Sequence, residues 1–243
     1  MKLFKIGMAS LLTILSLAAV TSFAETTQEA AVRKLVAVRL GENATIDSVK
    51  KTPYAGLYEV RFNGDILYTD QKAQYIFSGH VIDAETNQDF TKERLDEINK
   101  IVFSDLPLDL AVKVVKGNGT RSIAIFEDPN CGYCKQFRRT LQGIDNLTVY
   151  TFMYNILSPE SSVKSKNIWC MPDHGKAWDD WMLNSKAPAP APDSCTTSPN
   201  EQVLALGRKL KITGTPSIFF MDGSRIPGAV DAKGLEAKLA SIK

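Results

Sequence analysis

The sequence predicts a mixed α and β chain in two parts, a small α+β unit followed by a larger α/β domain. Three observations carry that expectation. Hydrophobic alternation of period two, broken by the turn pair Asn63-Gly64, fills residues 57–83. A charged stretch with helical spacing spans 89–106. From about residue 108 onward, strand and helix patterns alternate.

The first segment stands apart from both. Lys2 and Lys5 precede an uncharged apolar run from Ile6 to Val20, and Ser22-Phe23-Ala24 supplies small residues at a cleavage position. This reads as a secretory signal peptide over 1–24, because the run is short for a bilayer span and ends in no charged stop. Removing Lys2 and Lys5 leaves 27 basic against 27 acidic residues in a mature chain of about 219. With no basic excess to neutralise phosphates, nucleic acid is not an expected partner.

The next element, Thr26 to Leu40, has helix formers, a Thr start and a Gly41 stop, with Ala31, Leu35 and Val38 expected along the buried face. Strands follow at Leu57–Phe62, Asp65–Asp70 and Gln74–Asp83, and the unit is assigned residues 25–88. One helix on a few strands buries a marginal core at this size and the unit holds no cysteine. A second copy is the economical source of further burial, with the strand from Gln74 to Asp83 pairing across a two-fold axis. Packing on the rest of its own chain is the competing expectation. A linking helix over 89–106 carries Leu95, Ile98 and Val102 on a narrow stripe.

In the last part, 107–243, "RSIAIFEDP" reads as a buried strand, "CKQFRRTLQGI" as a helix and "LTVYTFMYNIL" as a strand. Helices follow around 159–169 and 175–183, then the extended "APAPAP" segment. Ser198 is the expected cap of the next helix, with Pro199 at its first helical position; strand "PSIFFMDG", the turn into "SRIPG" and a terminal helix close the chain. Strand, helix, strand, helices, hairpin, helix is the order of a thioredoxin-like domain.

Four cysteines in an exported chain suggest disulfides before zinc. Cys131 and Cys134 sit where the strand Ile123–Phe126 turns through Asp128-Pro129-Asn130 into a helix. The sulfur of Cys131, expected to be exposed, would meet unpaired N–H groups and the positive end of the helix dipole, which favour thiolate. Cys134, one turn on, is expected to be buried and to resolve mixed disulfides. Half of a four-cysteine zinc site and a buried disulfide staple are the alternatives; the zinc reading fails because Cys170 and Cys195 are not a close pair, and His80 and His174 match no ligand pattern. No metal or cofactor is therefore called for. Cys170 and Cys195 read as a structural disulfide worth roughly 3 to 4 kcal/mol, with a second reactive pair as the competing reading. Thr215-Pro216, before the last long strand, is expected to be cis, offering the preceding backbone to an incoming peptide and keeping metals from the thiols, with an ordinary turn proline as the competing reading.

These residues resemble the DsbC/DsbG family of bacterial periplasmic thiol:disulfide interchange proteins. "CGYC", "IWC" ending at Cys170, "AWDDWM", Cys195, "TGTP" and "GSRIPG" recur in the expected order, and "GDILYTD" resembles the amino-terminal dimerisation region. Gly132-Tyr133 and Thr215 fit the DsbC branch rather than DsbG. The resemblance implies a homodimer of cystatin-like amino-terminal domains, linker helices and thioredoxin folds around a cleft. It also implies isomerase and chaperone activity on misfolded, disulfide-containing exported proteins, and a DsbD-like inner-membrane reductant. Cys131 and Cys134 are then the catalytic pair, with Thr215, Pro216, Gly132 and Tyr133 contacting substrate. Ile125 occupies the place where thioredoxin carries a buried acid, so proton handling for Cys134 falls to Glu127, Asp128 or water. A dithiol oxidase or reductase would use the same sulfurs; a holdase chaperone or metal-binding module would not need them as catalysts.

Overall fold

The computed structural model describes residues 25–41 and 44–242. The expected signal segment, 1–24, lies outside them. Two compact units divide the chain, one from residues up to Asn63 together with Leu67–Phe77, the other from Gly64–Ile66 and Ser78 onward.

In the first unit, α1 (Thr27–Leu40) opens on a capping box: Thr26 Oγ1 accepts the Glu29 N–H at 3.2 Å and a Glu29 carboxylate oxygen accepts the Thr26 N–H at 2.8 Å. The other Glu29 oxygen accepts the Lys51 N–H at 3.0 Å, which ties the helix to β1 (Ile46–Lys51). That anchor sets the rotation of α1. Val32 and Val36 are buried beside Glu29, while Ala31, Leu35 and Val38, the expected core face, point outward; Val38 is 82% exposed. Each stripe carries three apolar residues, and the one that Glu29 fixes, with Val32, Val36 and Leu40, is the one that packs.

A four-stranded sheet in the order β1-β2-β3-β4 is completed by β2 (Tyr58–Phe62), β3 (Asp65–Thr69) and β4 (Ile76–Ser78). Asn63 and Gly64 join β2 to β3 with φ of 51° and 86°, the positive values a type I′ hairpin turn requires. Val49, Tyr58 and Val60 pack with Val32 and Val36 as the core. β1 has no counterpart among the expected strands, and β4 is much shorter than the expected 74–83. Beyond it, Ile82 makes only an isolated bridge to Asp89.

In the second unit, the helix expected over 89–106 is α2 (Phe90–Ile98) alone, capped by Asp89, and a short 3-10 turn follows at Phe103–Asp105. The intervening chain is extended and bonded to the domain: the Ile101 N–H donates to Gly223 O at 3.0 Å. Backbone donors claimed this way cannot also close helical turns.

The main sheet has five strands in the order β5-β7-β6-β8-β9. These are β5 (Val112–Lys116), β6 (Arg121–Glu127), β7 (Leu147–Met153), β8 (Ser217–Phe220) and β9 (Arg225–Pro227). Only β6 and β7 run parallel, joined by α3 (Gly132–Gln142); β5, β8 and β9 are antiparallel to their neighbours. Alternate residues of β6 serve opposite faces. Ile123 and Ile125 pack with Phe137 and Leu141 of α3 and with Leu235 and Leu239 of α7 (Ala232–Ser241). Ala124 and Phe126 pack with Phe152, Phe219 and Val203 of α6 (Asn200–Lys209), and Phe103 and Leu106 close that layer. Pro199, not Ser198, takes the cap position of α6, and no side chain caps it. Between β7 and α6 lie α4 (Pro159–Trp169) and α5 (His174–Asn184).

Gly223 is a sensitive point of this packing. Its φ is +79°, and a Cβ there would lie 2.1 Å from the Ile101 carbonyl oxygen. Gly223→Ala is expected to destabilise the chain by roughly 1 to 3 kcal/mol through strain and the lost close approach; urea denaturation of the two proteins checks it.

Candidate active site

β6 ends at Glu127, and the turn that follows is built on Asp128. One carboxylate oxygen accepts the N–H groups of Ile156 and Leu157 at 2.9 and 3.0 Å. The other accepts the Asn130 N–H and the Ser161 hydroxyl, both at 2.8 Å. Trp181 of α5 donates its Nε1–H to Pro129 O at 2.6 Å, and Lys164 of α4 donates to Asn130 Oδ1 at 2.6 Å. The turn is therefore pinned from two helices before the chain reaches Cys131.

Cys131 is the N-cap of α3, with extended φ of −76° and ψ of 117°. Its sulfur accepts the Cys134 N–H at 3.2 Å, the bond an N-cap side chain makes. No acidic residue occupies the first turn of α3, so no carboxylate competes for its positive end. Donation from Cys134 and the Tyr133 and Cys134 backbone outweighs the cost of burial and brings the Cys131 pKa down to about 6. Lysines are not the local support. Lys116 caps the far end of α3 at Leu141 O and Gln142 O, and Lys135 stacks over the Trp181 ring at 4.3 Å.

The environment of Cys134 is the opposite. It is wholly inaccessible and packs with Met153, Ile168, Trp178 and Met182. Burial is the largest reason its pKa rises far above the ordinary thiol value. Cys131 is only 5% exposed, so the expectation of an exposed sulfur is corrected: the sulfur lies 3.3 Å from the Thr215 carbonyl oxygen, recessed beside the loop that precedes β8. The two cysteines are unbonded thiols.

Thr215-Pro216 is cis. It brings the Thr215 carbonyl to Cys131, and a shallow groove lined by Thr213, Gly214, Thr215, Pro216, Arg225 and Pro227 runs alongside. Tyr133 stands 70% exposed between the two cysteines in sequence, and Gly132 is exposed beside it. Cys170 and Cys195 are disulfide-bonded with Cα atoms 5.9 Å apart. His80 pairs with Asp89 at 2.7 Å, and the His174 ring stacks on Trp169, so neither histidine meets the cysteines. Sequence reasoning missed Arg138, which lies one turn past Cys134 and bonds Asp179. It also missed Trp178, whose Nε1–H donates to Glu127 Oε2 at 3.2 Å. The spacing of Cys134 and Arg138, and of Trp178 and Trp181, was the available signal: each pair shares a helix face.

Residues 23–92 match the family described as "Disulfide bond isomerase protein N-terminal domain", and residues 108–243 match "Thioredoxin-like domain". The probable thiol:disulfide interchange protein DsbC of Bordetella parapertussis is 50% identical over 212 residues, covering 87% of this chain and 74% of that protein. The chain belongs to the DsbC family. The Escherichia coli thiol:disulfide interchange protein DsbC is 27% identical over 218 residues, covering 87% of each chain. A disulfide interchange protein from Neisseria gonorrhoeae superposes with a TM-score of 0.53 at 34% identity, over 56% of this chain and 97% of that one. The fold and the family thus agree with a DsbC-type chain: an amino-terminal DsbC domain followed by a thioredoxin-like domain.

The site geometry predicts an alkylation profile. Because the Cys131 pKa is lowered, its thiolate persists as pH falls through 7 and is lost only near 6. Iodoacetamide modification should rise with a midpoint near pH 6, and peptide mapping should place the adduct on Cys131 with Cys134 unmodified. A single midpoint near 8.5, that of a free thiol, would contradict the capping account.

Proposed function

We propose that this chain is a periplasmic protein disulfide isomerase whose nucleophile is Cys131 and whose resolving thiol is Cys134. The observation that carries the reading is the capping bond from the Cys134 N–H to the Cys131 sulfur, 3.2 Å long, with the Thr215 carbonyl 3.3 Å from the same sulfur. A thiolate held there attacks one sulfur of a non-native disulfide, forming a mixed disulfide and expelling the other substrate sulfur as thiolate. A different substrate thiolate then displaces Cys131, which rearranges the substrate with no net oxidation. Alternatively Cys134 displaces the substrate, which is reduced while the Cys131–Cys134 pair is oxidised. That second outcome calls for a DsbD-like inner-membrane reductant to restore the dithiol.

Thr215 and Pro216 support an extended substrate strand through the exposed backbone of the groove, and Gly132 and Tyr133 contact it from the helix side. Ile156 and Leu157, 39% and 54% exposed, lie on the loop held by Asp128 and extend an apolar rim suited to unfolded polypeptide. That rim supports chaperone activity alongside exchange. The signal-like sequence at 1–24 supports export to the periplasm. The fold and family agree with this reading over a metal-binding module.

Two copies are proposed to pair through β4, the edge of the small sheet. All three of its residues are exposed, and Tyr75, Ile76 and Phe77 are 60%, 41% and 50% accessible. An open edge with large apolar side chains is a template for a second strand.

The decisive experiment replaces Cys134 with Ala in the periplasm. Exported proteins covalently captured on Cys131 are expected on non-reducing gels and should vanish when Cys131 is also replaced; an absence of reducible adducts would overturn the reading. A separate test concerns assembly. Phe77→Lys should convert a dimer to a monomer by sedimentation and cut the reactivation of scrambled ribonuclease at least several-fold, with Cys131 alkylation unchanged. A monomeric variant that isomerises at the original rate would refute the need for pairing.

A further inference from the structure

Glu127 has no part in the exchange described so far, yet it is buried beneath the dithiol. It is wholly inaccessible, at the end of β6. Its Oε2 accepts the Trp178 indole N–H at 3.2 Å and lies 3.9 Å from Arg138 Nη1. Its Oε1, equally buried, has no hydrogen-bond partner. A buried carboxylate oxygen with no donor is costly, and taking up a proton relieves that cost. Asp128, the adjacent acid, is the opposite case: two backbone donors fill one oxygen, and a backbone N–H and a hydroxyl fill the other. Of the two acids in the sequence before Cys131, only Glu127 keeps capacity for a proton.

The charges around it are few. From α3 it faces Arg138 and the two cysteines; from α5 it faces Trp178 and Asp179; its partner across the sheet, on β7, is the uncharged Met153. Burial raises the Glu127 pKa to about 7, against the pull of Arg138 and Trp178, and the negative charge of Cys131 pushes the same way. Charge on Glu127 and on Cys131 in turn adds to the rise at Cys134. The three groups are therefore linked electrostatically.

Building on the dithiol reading above, we propose that Glu127 is the proton acceptor for Cys134 in the resolving step. In the free dithiol the Cys131 thiolate opposes a second negative charge nearby, so Cys134 stays protonated and inert. Once Cys131 is tied into a mixed disulfide, that charge is gone and Glu127 ionises more readily. The carboxylate then takes the Cys134 proton. Cys134 thiolate attacks the Cys131 sulfur, a Cys131–Cys134 bond forms, and the Cys131–substrate bond breaks with its electron pair leaving on the substrate sulfur. The substrate thiolate takes up that proton from Glu127, which is left as the carboxylate. The substrate is reduced, the protein dithiol is oxidised, and Glu127 returns to its starting state.

The test uses the full chain and oxidised glutathione as the probe, with stopped-flow tryptophan fluorescence separating mixed-disulfide formation from its resolution. In Glu127→Gln, resolution at pH 7 should slow by at least tenfold and lose the inflection near neutral pH that the unsubstituted chain shows. Formation should stay within about twofold, because Cys131 and its capping N–H are untouched. Equal resolution rates and pH profiles in the two proteins would overturn the proposal. Absence of the formation phase in the unsubstituted chain would instead overturn the dithiol reading itself. Should Glu127→Gln fail to fold, carbon-13 NMR of glutamate carboxyls decides the matter in the Cys134→Ser chain. A carboxyl titrating near pH 7 is expected to shift to lower pH when Cys131 is converted to its methylthio adduct, and no such shift would refute it.

Discussion

The N-terminus of α3 needs an acceptor, and the sulfur of Cys131 is the one the chain provides. Helices leave their first N–H groups unpaired, and an N-cap oxygen normally takes one of them. Here a cysteine stands at that position, its sulfur receives the Cys134 N–H, and no acidic side chain in the first turn shares the field. Capping thereby adds to acidity, beside the larger donation from the Cys134 thiol: what completes the helix also favours the thiolate. The effect depends on direction as well as distance, so the turn before the helix must be rigid. Asp128 supplies that rigidity with four donors on one carboxylate, and Trp181 and Lys164 add bonds from two other helices.

The same helix turn separates two chemically identical side chains. Cys131 lies at the mouth of the turn, and Cys134, three residues on, lies under Trp178 and Met153 where no water reaches. Burial penalises charge at both, but at Cys131 the donors outweigh it, whereas at Cys134 the Thr215 side chain offsets only a small part of it. Beneath them Arg138 bridges Glu127 and Asp179, and its own burial is tolerable because both neighbours are acids. A neutral replacement for either acid would leave a buried guanidinium short of partners.

Much of this was legible in the sequence because it is written in local rules. The strand, turn and helix around Cys131, the Asn63-Gly64 hairpin and the Thr26 start of α1 each follow from residue type and spacing. What escaped was set by neighbours distant in sequence. β1 and β5 lie at sheet edges and carry Lys50, Lys51, Lys113 and Lys116, so neither shows the apolar density of a buried strand. The face of α1 turns on the bond between Glu29 and the Lys51 backbone, twenty-two residues away. The recession of Cys131 depends on Thr215, eighty-four residues away, and α2 ends early because Ile101 bonds Gly223. Glu127 was visible as a residue, but its orphaned oxygen exists only once Trp178 and Arg138 are in place.

The chain holds two cysteine pairs in opposite states, and the capping interaction explains why that division is sustainable. A thiolate stabilised in the reduced form makes the corresponding disulfide easier to reduce. Lowering one thiol from 9.0 to about 6 favours the reduced dithiol at pH 7 by about tenfold, or about 30 mV for a two-electron couple. Cys195 is half-buried, and Cys170 closes the C-terminal end of α4, where the helix dipole disfavours a thiolate. The bond also gains from closing the loop that contains the proline-rich segment. One pair is thus biased toward reduction by a helix start while the other is biased toward oxidation by a helix end and a closed loop.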